Sequence, residues 1–176
     1  MKYVITGGPG CGKTSVLDCL KSLGYEVVPE GARQIIEEQQ RQSKPILWNT
    51  DFLEFEKLII ERQFELEAKI SKFPAFTDRG LPDSFAYCIQ YNVQLPKHTM
   101  QKILNHKYTE IFILDPLPRE HYANDNARWE SKDQADQIHK NIENTYKRLG
   151  YETHNIPVMP IQERARFIID AVKGGL

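Results

Sequence analysis

Near the start of the chain runs Gly7-Gly8-Pro9-Gly10-Cys11-Gly12-Lys13-Thr14-Ser15. The pattern Gly7-x-x-x-x-Gly12-Lys13-Thr14 is the full spacing of a phosphate-binding loop. It has the required context, because an apolar strand precedes it and a helix follows. Glycines let the backbone wrap closely, in dihedrals that other residues avoid. Their N–H groups and the helix N-terminus then converge on phosphate oxygens. Lys13 is placed to neutralise β- and γ-phosphate oxygens, and Thr14 to coordinate Mg²⁺. The nine residues Gly7 to Ser15 are therefore the expected site for ATP with Mg²⁺. Cys11 sits beside a helix N-terminus, where a thiol pKa can fall; its plainer reading is a small residue at a variable position.

The second set of chemical residues is found by asking where a bound phosphate would be used. In open α/β sheets, ligands sit beyond the C-terminal ends of the strands. One such end carries Asp78-Arg79-Gly80. Asp78 is a candidate metal ligand and proton acceptor, and Arg79 a candidate two-pronged clamp for an anion; a local ion pair with a turn at Gly80 is the alternative. Glu30 and Arg33 form another acid–arginine pair, which suits either substrate binding or a structural ion pair. Asp83 and Tyr87 are four apart on the next helix and share a face. Asp83 is a candidate substrate residue or a helix cap, and Tyr87 a packed ring. Asp115 is a weaker acidic candidate. In the segment 117–131, Arg128 is the stronger and Arg119 the weaker candidate for a lid arginine that covers a transferring phosphoryl group. Around Ile156 to Pro160, backbone groups fall where an adenine would be framed. His154 reads as an ordinary polar residue.

Holding these residues in place takes an alternation of short apolar strands and helices, the mark of an α/β fold with a mainly parallel sheet. The strands are Lys2 to Thr6, "YEVVPE" ending at Glu30, "PAFTDRG", "TEIFILDP" and "YETHNIPV". Ile111 to Leu114 is continuously apolar, as expected of a strand buried on both faces. Gly24 and Gly150 are expected helix stops. Ser131 with Gln134, and Asp51 with Glu54, are expected helix starts. The long helix beginning at Asp51 places Phe52, Phe55, Ile59, Leu66 and Ile70 on one side, which predicts an amphipathic helix covering the sheet.

With 176 residues the chain has the length of one domain. Net charge is −1, from 23 basic and 24 acidic residues spread along the chain, so no basic nucleic-acid footprint stands out. Three cysteines without CxxC spacing argue against a disulfide framework or a zinc site. No apolar run approaches the ~18 residues of a membrane span, and the N-terminus lacks a signal-peptide pattern. A cytoplasmic location is expected.

Together "YVITGGPGCGKTSVLDCLKSLGYEVVPEGARQII", "FTDRGLPDSFAY", "RWE" and "IPVMPIQERARFII" resemble the AAA-domain family of small P-loop ATP-binding proteins, neighbours of the nucleoside and nucleotide kinases. The resemblance covers essentially the whole chain, 1–176, as one nucleotide-binding domain. It implies a P-loop NTPase fold: α/β, three αβα layers, and a five-stranded parallel sheet in the order 2-3-1-4-5. Asp78-Arg79 is similar to the Asp-Arg motif of thymidylate kinases. That likeness assigns Asp78 and Arg79 to acceptor and metal, and Arg128 to a lid. Ribosylnicotinamide kinases look like more distant relatives.

Three uses of the phosphate loop follow. The first is a kinase, with Lys13, Asp78, Arg79 and Arg128 as catalytic residues and a nucleoside-like small molecule as acceptor. The others are a nucleotide switch acting through a protein or lipid partner, and an ATPase coupled to a partner. A strand with paired acids, as a motor needs, is missing, and so is an Asn-Lys-x-Asp base-reading motif, which favours the kinase.

Overall fold

The computed structural model describes residues 1–118 and 130–174. Arg119, Arg128 and most of the expected 117–131 lid lie outside the described residues.

The chain runs β1 (Lys2–Thr6), α1 (Lys13–Ser22), β2 (Glu26–Val28), α2 (Gly31–Gln39), α3 (Phe52–Glu67), β3 (Ala75–Asp78), α4 (Asp83–Gln90), α5 (Lys97–Asn105), β4 (Glu110–Leu114), α6 (Lys132–Arg148), β5 (Thr153–Ile156) and α7 (Ile161–Val172). The five strands form one sheet in the order β2-β3-β1-β4-β5, and each pairing is parallel. This is the P-loop NTPase fold with the kinase-like strand order. The order sets β3 directly beside β1, with Ile5 opposite Asp78. The strand end that leads into the glycine loop and the one that ends in Asp78 are thus neighbours.

Side chains on a strand alternate between its faces, and β1 shows the result. Tyr3 and Ile5 pack with Phe76 and Phe112 under Val16, Leu17 and Leu20 of α1 and Ile168 of α7. Val4 points the other way, to Ile111, Ile113, Ala86 of α4 and Ile138, Ile142 and Tyr146 of α6. Helices therefore cover both faces, which gives three layers.

Local signals hold where they rest on caps. Ser131 and Gln134 form a reciprocal capping box, and the Asp51 side chain accepts from the Glu54 N–H. Gly24 (φ +87°) and Gly150 (φ +76°) stand in the left-handed conformation after their helices. Two expectations need correction. β2 ends at Val28, so Glu30 is the residue capping the start of α2 rather than a strand end. The long helix α3 does not cover the sheet: its Phe55 packs with Ile35 and Ile36 of α2, and its Ile60 with Leu81, Cys88, Leu95 and Ile103. Its buried residues are Phe55, Glu56, Ile60, Gln63 and Glu67, a face more polar than the apolar stripe and shifted from it. No helix among the described residues is long and apolar enough to cross a membrane.

Candidate functional site

The glycine loop follows β1 and is held by its own geometry. Gly7 (φ +138°), Gly10 (φ +79°) and Gly12 (φ +81°) lie in the region that favours glycine. At Gly8 the constraint is space: a Cβ there would come within 2.6 Å of the Ala135 carbonyl oxygen and 2.9 Å of the His139 Cβ. Lys13 opens α1, and its ammonium folds back onto the loop, donating to the carbonyls of Gly7 (3.1 Å) and Gly8 (3.0 Å). Burial, and then the nearby Arg79 cation, lower its pKa. A phosphate anion placed there would relieve both effects.

Two residues far along the chain fix this loop. The Gly8 N–H donates to His139 Nδ1 of α6 at 3.1 Å. Arg164 of α7, almost fully buried, donates to the carbonyls of Cys11 (2.8 Å), Pro157 (3.0 Å) and Asp115 (3.4 Å). It ties the loop to the ends of β4 and β5. Cys11 is correspondingly enclosed: burial pushes its thiol up, against the lowering expected from a helix N-terminus and in spite of Lys13 and Arg79 nearby. The reactive-thiol reading is therefore dropped.

The end of β3 supplies the opposing groups. Asp78 is its last residue and is 6% exposed. Its Oδ1 is, among the described residues, the one buried side-chain oxygen or nitrogen with no hydrogen-bond partner. Burial, and then the Glu30 carboxylate, raise its pKa to about 7 against the pull of Lys13 and Arg79. Arg79 adopts φ +67°, a strained conformation for a residue with a side chain. Gly80 follows because a Cβ there would meet Tyr146 Oη at 2.6 Å and Val4 Cγ2 at 2.9 Å. The Arg79 guanidinium donates to Glu30 (2.7 Å), to Asp83 (3.3 Å) and to the Gly7 carbonyl (3.4 Å), and lies over the Tyr87 ring, 5.1 Å from its centre. Burial would raise the Glu30 carboxyl; the cations of Arg79 and Lys13 outweigh it and hold the group below its usual range.

These groups share one cleft. Pro9, Gly10, Gly12, Lys13, Thr14, Ser15, Glu30, Arg33, Asp78, Arg79 and Asp83 all line it. Of the expected site residues, Gly7, Gly8 and Cys11 form the buried support beneath. Arg33 is exposed at the rim. Asp83 is engaged by the protein itself: it accepts from Thr6 Oγ1 and from Tyr146 Oη, each at 2.6 Å, and from Arg79. Its place is to orient Arg79 rather than to cap α4, whose capping residue is Pro82. His154 pairs with Glu110 at 2.9 Å and stacks on Phe112, away from the cleft.

Sequence reasoning passed over Glu56, Gln63, Ser84 and Glu130, which line the same cleft, and His139 and Arg164, which support the loop. The closing "ER" pair was a visible signal for Arg164. For His139 there was none, since only folding brings it to Gly8.

Among the described residues no group of three or more His, Cys, Asp or Glu side chains could hold a metal ion. A lone carboxylate with a free oxygen and a threonine hydroxyl nonetheless fit Mg²⁺, which takes oxygen ligands and keeps water and substrate phosphates in its shell. Asp78 Oδ1 is such an oxygen.

Comparison with solved structures shows the same fold in enzymes of low sequence identity. Deoxyadenosine kinase from M. mycoides, determined with dCMP and dCDP, superposes with a TM-score of 0.68 at 15% identity, over 99% of this chain and 100% of that one. Thymidylate kinase from Ehrlichia chaffeensis gives 0.69 at 14% identity, covering 98% of each chain. The NadR protein, determined with NAD and AMP-PNP, gives 0.71 at 16% identity; 98% of this chain covers 48% of that one. No curated protein sequence matches significantly. The model of the AAA domain matches residues 2–164, nearly the full length. On that match, the chain belongs to the AAA-domain family, built on a kinase-like P-loop fold.

Proposed function

We propose that this chain is a phosphotransferase that moves the γ-phosphoryl group of ATP to a nucleoside- or nucleotide-like acceptor, with residues 1–176 acting as one catalytic domain. The observation that carries the reading is Asp78: a buried carboxylate with a free oxygen, in the cleft that also holds Lys13 and Thr14. The kinases that share the fold support it.

The glycine loop and Lys13 hold the triphosphate. Asp78 Oδ1 accepts the hydrogen of an acceptor hydroxyl. The hydroxyl oxygen forms a bond to the γ-phosphorus as the bond from that phosphorus to the β–γ bridging oxygen breaks. ADP leaves, and the proton remains on Asp78 until solvent removes it. A carboxyl raised to about 7 is matched to this task, since a general base works best near the operating pH. Mg²⁺, held by Thr14 and, through one of its waters, by Asp78, would neutralise charge on the phosphate oxygens. Arg79, locked by Glu30 and Asp83, presents a fixed fork to acceptor or phosphate. Glu30 and Arg33 frame the acceptor's entry. Arg128, which precedes α6 in the sequence, is assigned to the lid by the likeness to thymidylate kinases.

The test is ADP formation from ATP·Mg, with and without a panel of nucleosides, nucleotides and vitamin precursors. The reading expects at least one acceptor to raise the rate and to gain a phosphoryl group. Equal slow ADP release with every acceptor, altered instead by a protein or lipid partner, overturns it in favour of a nucleotide switch.

A further inference from the structure

Besides the phosphoryl-transfer groups, the cleft is lined by residues of α3, of α4 and of the turn before α4. Phe55, Ile59, Ile60, Leu81 and Tyr87 give it apolar and aromatic walls, suited to a flat ring. Glu56 and Gln63 interrupt them. They lie seven residues apart on α3, hence on one face, and both are buried: Glu56 is 4% exposed and Gln63 5%. Glu56 is hydrogen-bonded to Ser84 of α4.

The orientation of the Gln63 amide is fixed by its neighbours. Its Nε2 donates to Glu67 Oε1 at 3.0 Å. Glu67 also accepts from Tyr108 Oη (2.7 Å) and Lys2 Nζ (2.9 Å), and lies 2.7 Å from His106 Nε2. Burial would raise the Glu67 carboxyl, but these partners hold it below its usual range, so it is ionised. An ionised carboxylate only accepts. The Gln63 amide must therefore turn its NH₂ to Glu67 and its Oε1 the other way, to the Gly31 wall of the cleft, where a Cβ on Gly31 would lie 3.3 Å from it. The α3 wall of the cleft thus offers a carboxyl group and a carbonyl oxygen held in one orientation.

We propose that Glu56 and the Oε1 of Gln63 form a recognition subsite for an N–H donor, an exocyclic amine or a carboxamide NH₂, on the ring of the acceptor. The inference rests on the phosphotransfer reading and narrows its acceptor class. A ring bearing an amino group matches the two oxygens. A ring bearing an oxo group in its place sets oxygen against oxygen and leaves buried acceptors unpaired, the arrangement by which sites reject near-isosteres.

Burial raises the Glu56 carboxyl to about 7, against Ser84 and Arg79, with Asp83 adding to the rise. The other titratable group set against it is Cys88, whose own thiol it pushes further up. At lower pH the protonated Glu56 can donate to an oxo group. At higher pH it only accepts. The preference for amino over oxo rings therefore grows with pH. Asp78 titrates in the same range, but it acts on both members of a matched pair and drops out of their ratio.

The experiment is calorimetric binding, with AMP-PNP present, of three matched pairs: adenosine and inosine, cytidine and uridine, nicotinamide riboside and nicotinic acid riboside. In at least one pair the amino or amide member binds about tenfold or more tightly at about pH 8, and the ratio shrinks at about pH 6. Glu56→Gln, whose amide both donates and accepts, brings the ratio to within about threefold. A ratio near one at both pH values, or preference for the oxo member at the higher pH, overturns the inference. So does discrimination that Glu56→Gln leaves intact. If that variant does not fold, the pH dependence of the native chain still decides. Equal phosphorylation of both members removes this subsite and leaves the kinase standing. Failure of all six compounds to bind removes this subsite, and failure of the whole panel of nucleosides, nucleotides and vitamin precursors to raise ADP formation removes both.

Discussion

The backbone N–H of Gly8 donates to Nδ1 of His139, joining the first turn of the glycine loop to the middle of α6. The bond requires an unprotonated Nδ1, which leaves the ring hydrogen on Nε2, 3.8 Å from Glu143. Burial lowers the His139 pKa and keeps the ring neutral. His139→Leu should weaken AMP-PNP binding about fivefold, the value of one net hydrogen bond of ~1 kcal/mol. His139→Gln, which can return an acceptor oxygen, should recover part of the loss. Because the folded pKa is depressed, the stability contributed by neutral His139 is complete above the reference value of 6.5 and is lost as pH falls through the folded value below it. Isothermal titration of both variants checks the first statement, and thermal melts across acid pH the second.

Asp78→Asn keeps the shape of the cleft and removes the base. Turnover with a productive acceptor should fall by about 10²–10⁴. AMP-PNP affinity in the absence of metal should change little. The kcat/KM of the native chain should rise with pH through a limb near 7, the value to which Asp78 is raised. In kcat at saturating acceptor, where Glu56 no longer enters through binding, the limb should vanish in the variant. Glu30→Gln separates the two acids: Glu30 is already ionised and paired with Arg79, and its charge helps to raise Asp78, so its loss should alter KM and move the limb to lower pH without abolishing it. Steady-state kinetics across pH reads both.

Asp78 and Glu56 also shape stability. Their folded values are raised, from 3.8 and 4.5 respectively to about 7. Protons are then held more tightly in the folded chain than in the unfolded one. The stability this provides is complete below the unfolded values and is lost as pH rises through the folded ones. Glu30 and Glu67 are lowered and act in the opposite sense, but below the 4.5 reference value. Neutral His139 acts in the opposite sense below its 6.5 reference value, so the loss is read above it: from about pH 6.5 to about pH 8 the ligand-free chain should become less stable by about 1–2 kcal/mol. Asp78→Asn should stabilise it at the alkaline end and flatten the slope. Urea unfolding across this range is the measurement.

Asp83 joins β1, α4 and α6 by accepting from Thr6, Tyr146 and Arg79. Asp83→Ala leaves two buried hydroxyls and one guanidinium arm without their acceptor, at a cost on the order of 3 kcal/mol. Tyr146→Phe removes one bond and should cost ~1 kcal/mol. Turnover should fall further for Asp83→Ala than for Tyr146→Phe, because only the former releases Arg79. Urea midpoints and single-acceptor kinetics distinguish the two effects.

How much of this was legible in the sequence depended on the range of the signal. The glycine loop, the strand alternation, the Ser131–Gln134 cap and the Asp78-Arg79-Gly80 turn are local patterns, and the fold places them as their spacing implies. β2 ended early because its ladder with β3 stops at Val28, and Glu30 already stands at the N-cap position of α2 in extended backbone. The α3 face was misread because apolar periodicity counts only apolar residues. Glu56, Gln63 and Glu67 are buried by virtue of partners on α4, β1 and the loop before β4, and those partners are remote in sequence. His139 was invisible for the same reason.

Arg164 has one further consequence. It braces Cys11 through a hydrogen bond that spans most of the polypeptide. The glycine loop leaves the ribosome before Arg164, and the parallel strands β4 and β5 are made in between. Until that arginine emerges, the loop lacks its brace, and the nascent chain has a phosphate motif without a finished cradle. The loop is thereby completed only in chains whose helix α7 has docked.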